Sequence, residues 1–157
     1  MPSARRADRH AGPGAARGRA ALNGRLARAF PELRAALDGL AALWDGEVLG
    51  PHAVYAGLLV RQLLLGPALE PGGGALLRRA ARFLEGIVDG PADDLARFGV
   101  LENLLLEGGP GAYARLLEVA GPRTRRVARE VAASWGVPLA RILPAGAREA
   151  GAGGSVR

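Results

Sequence analysis

The chain has 157 residues, 49% of them hydrophobic, which is enough to bury a core without disulfides or metal. It contains no cysteine, which excludes a disulfide framework, a thiolate zinc site and a cysteine nucleophile. The net charge is +6 and all 21 basic residues are arginine, a bias that we interpret as that of a GC-rich bacterial genome. Because no secretory signal or transmembrane stretch is evident, a cytoplasmic location is expected.

Charge is distributed unevenly along the chain. Residues 1–34 carry a net charge of +6, residues 35–121 a net charge of −5 and residues 122–157 a net charge of +5. Basic ends around an acidic middle are typical of tails that bind an anionic surface, and equally of arms that neutralise the protein's own charge. We favour the second interpretation.

Helices joined by Gly-Pro turns are the elements predicted along the chain. Residues 1–20 are rich in Arg, Ala and Gly without periodicity, which predicts a disordered arm. After this arm, Gly-Pro pairs separate segments of helical length, because glycine ends a helix and proline fits the first turn of the next. We predict helices at about residues 20–29, 32–44, 52–65, 75–89, 92–107, 111–120 and 122–135.

The expected fold class is therefore all-α. These segments would form a compact bundle or a short α-solenoid of about six to seven helices joined by Gly-Pro turns. We predict a single helical domain over residues 21–143 and a flexible tail over residues 144–157.

Three Leu-Glu pairs occur in the later predicted helices. An α-helix turns by about 100° per residue, and this rotation places the three glutamates on different kinds of helix face. Glu85 and Glu118 fall on polar faces and are expected in water. Glu102 falls within an apolar arc of the helix predicted at 92–107, which is apolar nearly all round and should be central. A buried carboxylate needs a partner, since an uncompensated charge costs several kcal/mol.

Arg61 is the expected partner of Glu102, because it lies among apolar residues of the helix predicted at 52–65. We therefore predict a buried Arg61–Glu102 ion pair, and a loss of about 3–5 kcal/mol when Glu102 is replaced by alanine. The alternative is that Glu102 is a perturbed carboxylate in a ligand pocket.

The last predicted helix carries a candidate basic surface. Arg123, Arg125, Arg126 and Arg129 fan across its outer face. Such a face is able to bind nucleic acid or an anionic surface. However, no aromatic residue is interleaved for base stacking, and no helix-turn-helix spacing is present. Docking of these arginines onto the acidic middle of the chain is the interpretation that we favour.

Residues that could support catalysis or hold a cofactor are sparse. His52 is the sole histidine outside the N-terminal arm, Ser134 has no base near it in sequence, and Asp93 and Asp94 suit the first turn of a helix. The glycines of residues 71–79 lack the preceding strand and the lysine of a phosphate-binding loop. We therefore expect no enzyme activity, no metal site and no cofactor.

Three segments resemble those of a group of uncharacterised small bacterial all-helical proteins. They are FPELRAALDGL at 30–40, RRAARFLEGIVDG at 78–90 and GVLENLLLEGG at 99–109. That group has a Phe-Pro-Glu-Leu start, a Phe-Leu-Glu helix and a Leu-Glu-x-Leu helix, and the resemblance covers about residues 29–127. It implies an all-α fold and an immunity-type or neighbour-binding role, and it implies no catalytic residues.

Two classes of function are consistent with these features. The first is a non-catalytic helical protein-binding module, immunity- or inhibitor-like, whose partner is another protein. The alternative is a basic accessory protein that binds nucleic acid or an anionic surface through the helix at 122–135 and the tails.

Overall fold

The computed structural model describes residues 13–44 and 48–143, and all regular structure in these ranges is helical. The all-α class is therefore confirmed for these residues. The seven α-helices in these ranges are α1 (Pro13–Ala29), α2 (Arg34–Leu43), α3 (Pro51–Val54), α4 (Gly74–Glu85), α5 (Glu102–Val119), α6 (Pro122–Ser134) and α7 (Leu139–Ile142). A 3₁₀ turn (Pro31–Leu33) and two π-helices, π1 (Tyr55–Leu64) and π2 (Leu95–Leu101), complete the helical elements.

Helix α1 begins earlier than the composition predicted. It starts at Pro13, so residues 13–20 of the predicted arm are helical rather than disordered. Alanine and arginine are strong helix formers, and a segment rich in both supports a helix as readily as a disordered arm. Residues 1–12 of the arm and the tail predicted over 144–157 lie outside the described residues.

Contacts within the chain group its residues into two compact units, divided in the sequence after Val54. In the first unit, α1 contacts both the 3₁₀ turn and α3. Asn23 of α1 donates its side-chain N–H to the Leu49 carbonyl at 3.1 Å, which holds α1 against the segment that leads into α3. The prediction of a single domain over residues 21–143 stays a prediction.

In the second unit, α5 is the central element and contacts π1, π2, α4, α6 and α7. Tyr113 on α5 is fully buried, and its hydroxyl donates to the Ala128 carbonyl on α6 at 2.8 Å. Burial raises the pKa of this phenol. The fully buried side chains of this unit include Leu58, Leu59, Leu63, Leu64, Leu84, Ile87, Leu101 and Leu104.

The two π-helices change which residues share a helix face. A π-helix closes i→i+5 hydrogen bonds, so each residue turns by less than the 100° of an α-helix. Faces calculated at 100° therefore drift from the true ones across π1 and π2. Arg61 lies within π1 and Glu102 follows π2 directly, so both positions are affected.

The turn predicted between residues 107 and 111 is present as a break within α5. Gly109 has φ 73° and ψ −179°, a conformation that favours glycine, and Pro110 follows it. A second Gly-Pro turn lies at Gly90-Pro91. Here the residue with a positive φ, of 61°, is Asp89 and not Gly90. The Asp89 N–H donates to the Asp93 carboxylate at 2.8 Å, which ties that turn to the next segment.

Candidate functional site

Arg61 and Glu102 do not pair with each other. Arg61 forms a two-pronged ion pair with Glu107, in which Nε donates to Oε2 at 2.6 Å and Nη2 donates to Oε1 at 2.8 Å. The Arg61 side chain is 59% exposed, so this pair lies at the surface. The hydrogen bond from Arg61 holds the pKa of Glu107 below its ordinary value. The predicted buried Arg61–Glu102 pair is wrong for two reasons. The π-helical turns of π1 rotate Arg61 away from the apolar face calculated for an α-helix, and the apolar arc that contains Glu102 is exposed at Phe98 and Leu106.

Glu102 bonds instead to a tryptophan. Its Oε1 accepts a hydrogen bond from Trp135 Nε1 at 3.1 Å, and the carboxylate is partly exposed. Trp135 follows α6 directly, so the end of α6 places an indole against the first residue of α5. Among the described residues, no arginine or histidine forms an ion pair with Glu102.

Two large apolar side chains flank Glu102 along the chain. Leu106 lies four residues after it in α5, a spacing that places the two side chains on one face, and Phe98 lies four residues before it in π2, about one turn away. Phe98 is 52% exposed, Leu106 53% and Trp135 49%. The Asn103 side chain donates to the Phe98 carbonyl at 2.6 Å and fixes the backbone there. We call Phe98, Glu102, Leu106 and Trp135 together the Glu102 surface.

This surface was not predicted from the sequence, because the helix predicted at 92–107 was expected to be central. One signal was available: the helix predicted at 92–107 is apolar on nearly every face. Such a helix is either enclosed on all sides or presents an apolar face without a partner. In this structure α5 has neighbours on several sides, and the face with Leu106 is still exposed.

At the other end of α6, Glu85 caps the helix. Its Oε2 accepts hydrogen bonds from the Thr124 N–H at 2.9 Å and the Thr124 hydroxyl at 2.6 Å, and its Oε1 accepts one from the Arg123 N–H at 3.1 Å. A carboxylate at this position satisfies free amides and is stabilised by the helix dipole. Partial burial by itself would raise the pKa of Glu85, but the hydrogen bonds from Thr124 and Arg123 outweigh it and lower the pKa.

The expectation that Glu85 points into water is therefore wrong. The periodicity of α4 correctly places Glu85 off the apolar face of its own helix. That periodicity does not predict that the N-terminus of α6 packs against the polar face of α4, where Glu85 lies. Glu118, the other glutamate expected in water, is exposed as predicted.

The turn between α5 and α6 is held by a second charged side chain. Arg125 donates to the carbonyls of Leu117 at 3.0 Å and Glu118 at 3.2 Å, both in the last turn of α5. Gly121 leaves room for the cap, since a Cβ there would lie 2.6 Å and 2.8 Å from the Glu85 carboxylate oxygens. We define the α5–α6 corner as Glu85, Gly121, Arg123, Thr124 and Arg125.

Arg126 joins a surface network of ion pairs. It pairs with Asp89 and with Glu130, at 2.7 Å from the latter, and Glu130 also accepts from Arg97 at 2.7 Å. Arg97 pairs in turn with Asp93. Hydrogen bonds from Arg97 in particular hold the pKa of Glu130 below its ordinary value.

The candidate basic surface is thus largely engaged within the protein. Arg123 and Arg126 reach carboxylates and Arg125 reaches backbone carbonyls, in agreement with the docking interpretation favoured from the sequence. Arg129 is exposed, and its side chain makes no hydrogen bond or ion pair with any described residue.

The remaining sequence candidates form no constellation. His52 is exposed near the start of α3, and the Ser134 hydroxyl donates to the Val131 carbonyl at 2.7 Å. Over residues 13–44 and 48–143, no three His, Asp or Glu side chains lie close enough together to hold a metal ion. No helix in the same ranges combines the length and the apolar character needed to cross a bilayer.

Comparison with protein-family models, with curated proteins and with solved structures found no match to this chain. The resemblance to small bacterial all-helical proteins therefore stays a prediction. Function must therefore be inferred from the geometry of the described residues. The Glu102 surface and the α5–α6 corner are the two features of that geometry that concern function.

Proposed function

We propose that this chain is a non-catalytic protein-binding module of the bacterial cytoplasm and that its partner binds the Glu102 surface. The observation that carries this proposal is the exposure of three large apolar side chains near one carboxylate: Trp135 is bonded to Glu102, and Phe98 and Leu106 lie four residues before and after it. Clustered apolar side chains with a polar surround mark interaction sites, and aromatic residues dominate the centres of protein interfaces.

Two hydrogen bonds that orient parts of the Glu102 surface also support binding. The indole of Trp135 is oriented by its bond to Glu102, and the backbone at Phe98 is fixed by Asn103. Phe98 lies in π2, and π-helical turns occur frequently at functional sites. Side chains that are ordered before binding lose little conformational entropy when a partner arrives, which favours affinity.

A basic accessory protein that binds nucleic acid is supported less well. A phosphate backbone is neutralised by free cations, whereas Arg123, Arg125 and Arg126 are already bonded within the protein. We expect no retention on a heparin or DNA column at about 0.15 M salt. Strong salt-dependent retention, lost when these three arginines and Arg129 are changed to glutamine, would favour the accessory function instead.

The proposed function is tested by photo-crosslinking in the native host. Benzoylphenylalanine is placed at Leu106 and, as a matched control, at Glu118, which is exposed on the same helix beyond the break at Gly109. A partner should crosslink from position 106 and not from position 118. The crosslinked protein is then identified, purified and titrated against the wild type.

Titration with variants completes this test. We expect Leu106→Ser and Trp135→Ala each to raise the Kd at least about tenfold, as central apolar contacts do, with an unchanged circular dichroism spectrum. Equal crosslinking from both positions, or a Kd unaffected by both substitutions, would show that the partner binds elsewhere.

A further inference from the structure

In the part of the chain that the structure describes, only one oxygen of the Glu102 carboxylate has a hydrogen-bond partner. Its Oε1 accepts from Trp135, while its Oε2 has no hydrogen-bond partner among the described residues. Two other glutamates of this unit are neutralised: Glu107 by Arg61, and Glu130 by two arginines. Over residues 13–44 and 48–143, Glu102 therefore has no cation beside it, and exposed apolar side chains lie near it.

A partner that covers the Glu102 surface removes water from the Glu102 carboxylate and must therefore compensate its negative charge. A purely apolar partner would strip water from Glu102 and leave it uncompensated, which is strongly unfavourable. An anionic membrane or a nucleic acid would add repulsion from a like charge. A cation on the partner, in contrast, would compensate Glu102 while its apolar neighbours cover Phe98 and Leu106.

Resting on the proposed function, we infer that the partner is a protein segment in which one cationic side chain, an arginine, lies between apolar side chains. The cation binds the open oxygen of Glu102, and the apolar residues cover Phe98 and Leu106. Arginine fits better than lysine because its planar guanidinium donates to a carboxylate and stacks on an aromatic ring at the same time.

The half-exposed ring of Trp135 supplies that aromatic surface. Its Nε1–H is already committed to Glu102, which holds the ring edge at the carboxylate and leaves about half of the side chain accessible. A guanidinium beside Oε2 lies within reach of the indole, where a cation is attracted by the electrons of the ring. Carboxylate and indole therefore form one composite site for a cation.

The test uses a displayed library of random twelve-residue peptides, selected on the wild type and on three variants. These are Glu102→Gln, Leu106→Ser and the matched control Glu118→Gln, which lies in the same helix outside the Glu102 surface. The wild type should enrich peptides with an arginine flanked by Leu, Ile, Phe or Trp within about one helical turn on either side. Glu118→Gln should enrich the same peptides.

Glu102→Gln should keep the apolar preference and lose the enrichment of arginine. For the best peptide, we expect Kd to rise about tenfold with Glu102→Gln and about tenfold when the peptide arginine is replaced by neutral citrulline. Making both changes together should cost little more than either alone, which identifies the two groups as partners.

The possible failures are distinguishable. Peptides that depend on Leu106 and show no preference for a cation would overturn this inference and leave the proposed function standing. No enrichment on the wild type, or the same peptides on Leu106→Ser, would overturn both. Self-association in sedimentation equilibrium that Leu106→Ser abolishes would make a second copy of this chain the occupant and would also overturn the inference.

Discussion

A glutamate lies near each end of α6, and the two glutamates differ in how many hydrogen bonds they accept. At the first turn, Glu85 accepts hydrogen bonds from two backbone amides and a hydroxyl, and the α5–α6 corner closes around it. Beyond the last turn, Glu102 accepts one hydrogen bond from Trp135, and its other oxygen accepts none from any described residue.

The difference separates a structural role from a binding role. A carboxylate whose hydrogen bonds are all made inside the protein contributes to folding, since its partners are lost only on unfolding. A carboxylate left half satisfied contributes little to folding, and its remaining capacity is available to a partner. Stability should therefore respond to Glu85 and binding to Glu102, and the following substitutions test that division.

The largest loss of stability is expected at the closed corner. Glu85→Ala removes the cap of α6 and should lower the free energy of unfolding by about 1–2 kcal/mol. Gly121→Ala should cost a similar amount, because its Cβ would occupy the space of the Glu85 carboxylate. Urea denaturation followed by circular dichroism measures both variants.

A double-mutant cycle sharpens this prediction. In the Glu85→Ala background, Gly121→Ala should be neutral or slightly stabilising, because no carboxylate remains to be displaced and the unfolded chain loses freedom. Glu118→Ala, in the exposed part of α5, is the control and should change stability by less than about 0.5 kcal/mol. Strict additivity of the two corner substitutions would contradict the proposed crowding.

The next effect concerns the bond that fastens α5 to α6. Tyr113→Phe keeps the buried ring and removes only the hydroxyl that donates to the Ala128 carbonyl. We expect a loss of about 1 kcal/mol in the free energy of unfolding, which is the usual net value of one such bond. A variant as stable as the wild type in thermal and urea unfolding would show that this bond makes no net contribution.

Acid should weaken the corner in a defined direction. Hydrogen bonds lower the pKa of Glu85 in the folded state, so this group stabilises the protein above its unfolded-state pKa. That contribution is lost as the pH falls through the lowered folded-state pKa. The stability gap between the wild type and Glu85→Gln, about 1 kcal/mol at pH 7, should therefore narrow as the pH falls below the unfolded-state pKa of about 4.3. A constant gap over this range would falsify the capping role.

Much of the fold could be predicted from local patterns. Gly-Pro pairs mark helix ends because glycine and proline act through their own backbones, and the break at Gly109 lies where they predict it. The start of α1 at Pro13 was less predictable, since Ala and Arg suit both a helix and an unfolded arm. The π-helices were not predicted, because a count at 100° per residue assumes α-helical turns throughout.

The candidate site depends more on tertiary structure. The arginines of α6 were recognisable as one outer face, but their partners lie far away in sequence, as Arg123 and Glu85 illustrate. The periodicity of a helix predicts which of its faces is polar. It does not predict which other element packs against that face. For this reason Glu85 was expected in water, and the exposure of Phe98, Leu106 and Trp135 was missed.

The smallest effect on stability is expected at the open glutamate, where the sequence predicted the largest. Arg61 is held by Glu107, so removing Glu102 leaves no buried cation without its partner. Glu102→Gln keeps an oxygen that can accept from Trp135, and it should change the free energy of unfolding by less than about 0.5 kcal/mol. Peptide affinity in the same preparation should nevertheless fall about tenfold. A stability loss of about 3 kcal/mol would mean that Glu102, like Glu85, stabilises the fold. The contrast between the two ends of α6 would then disappear.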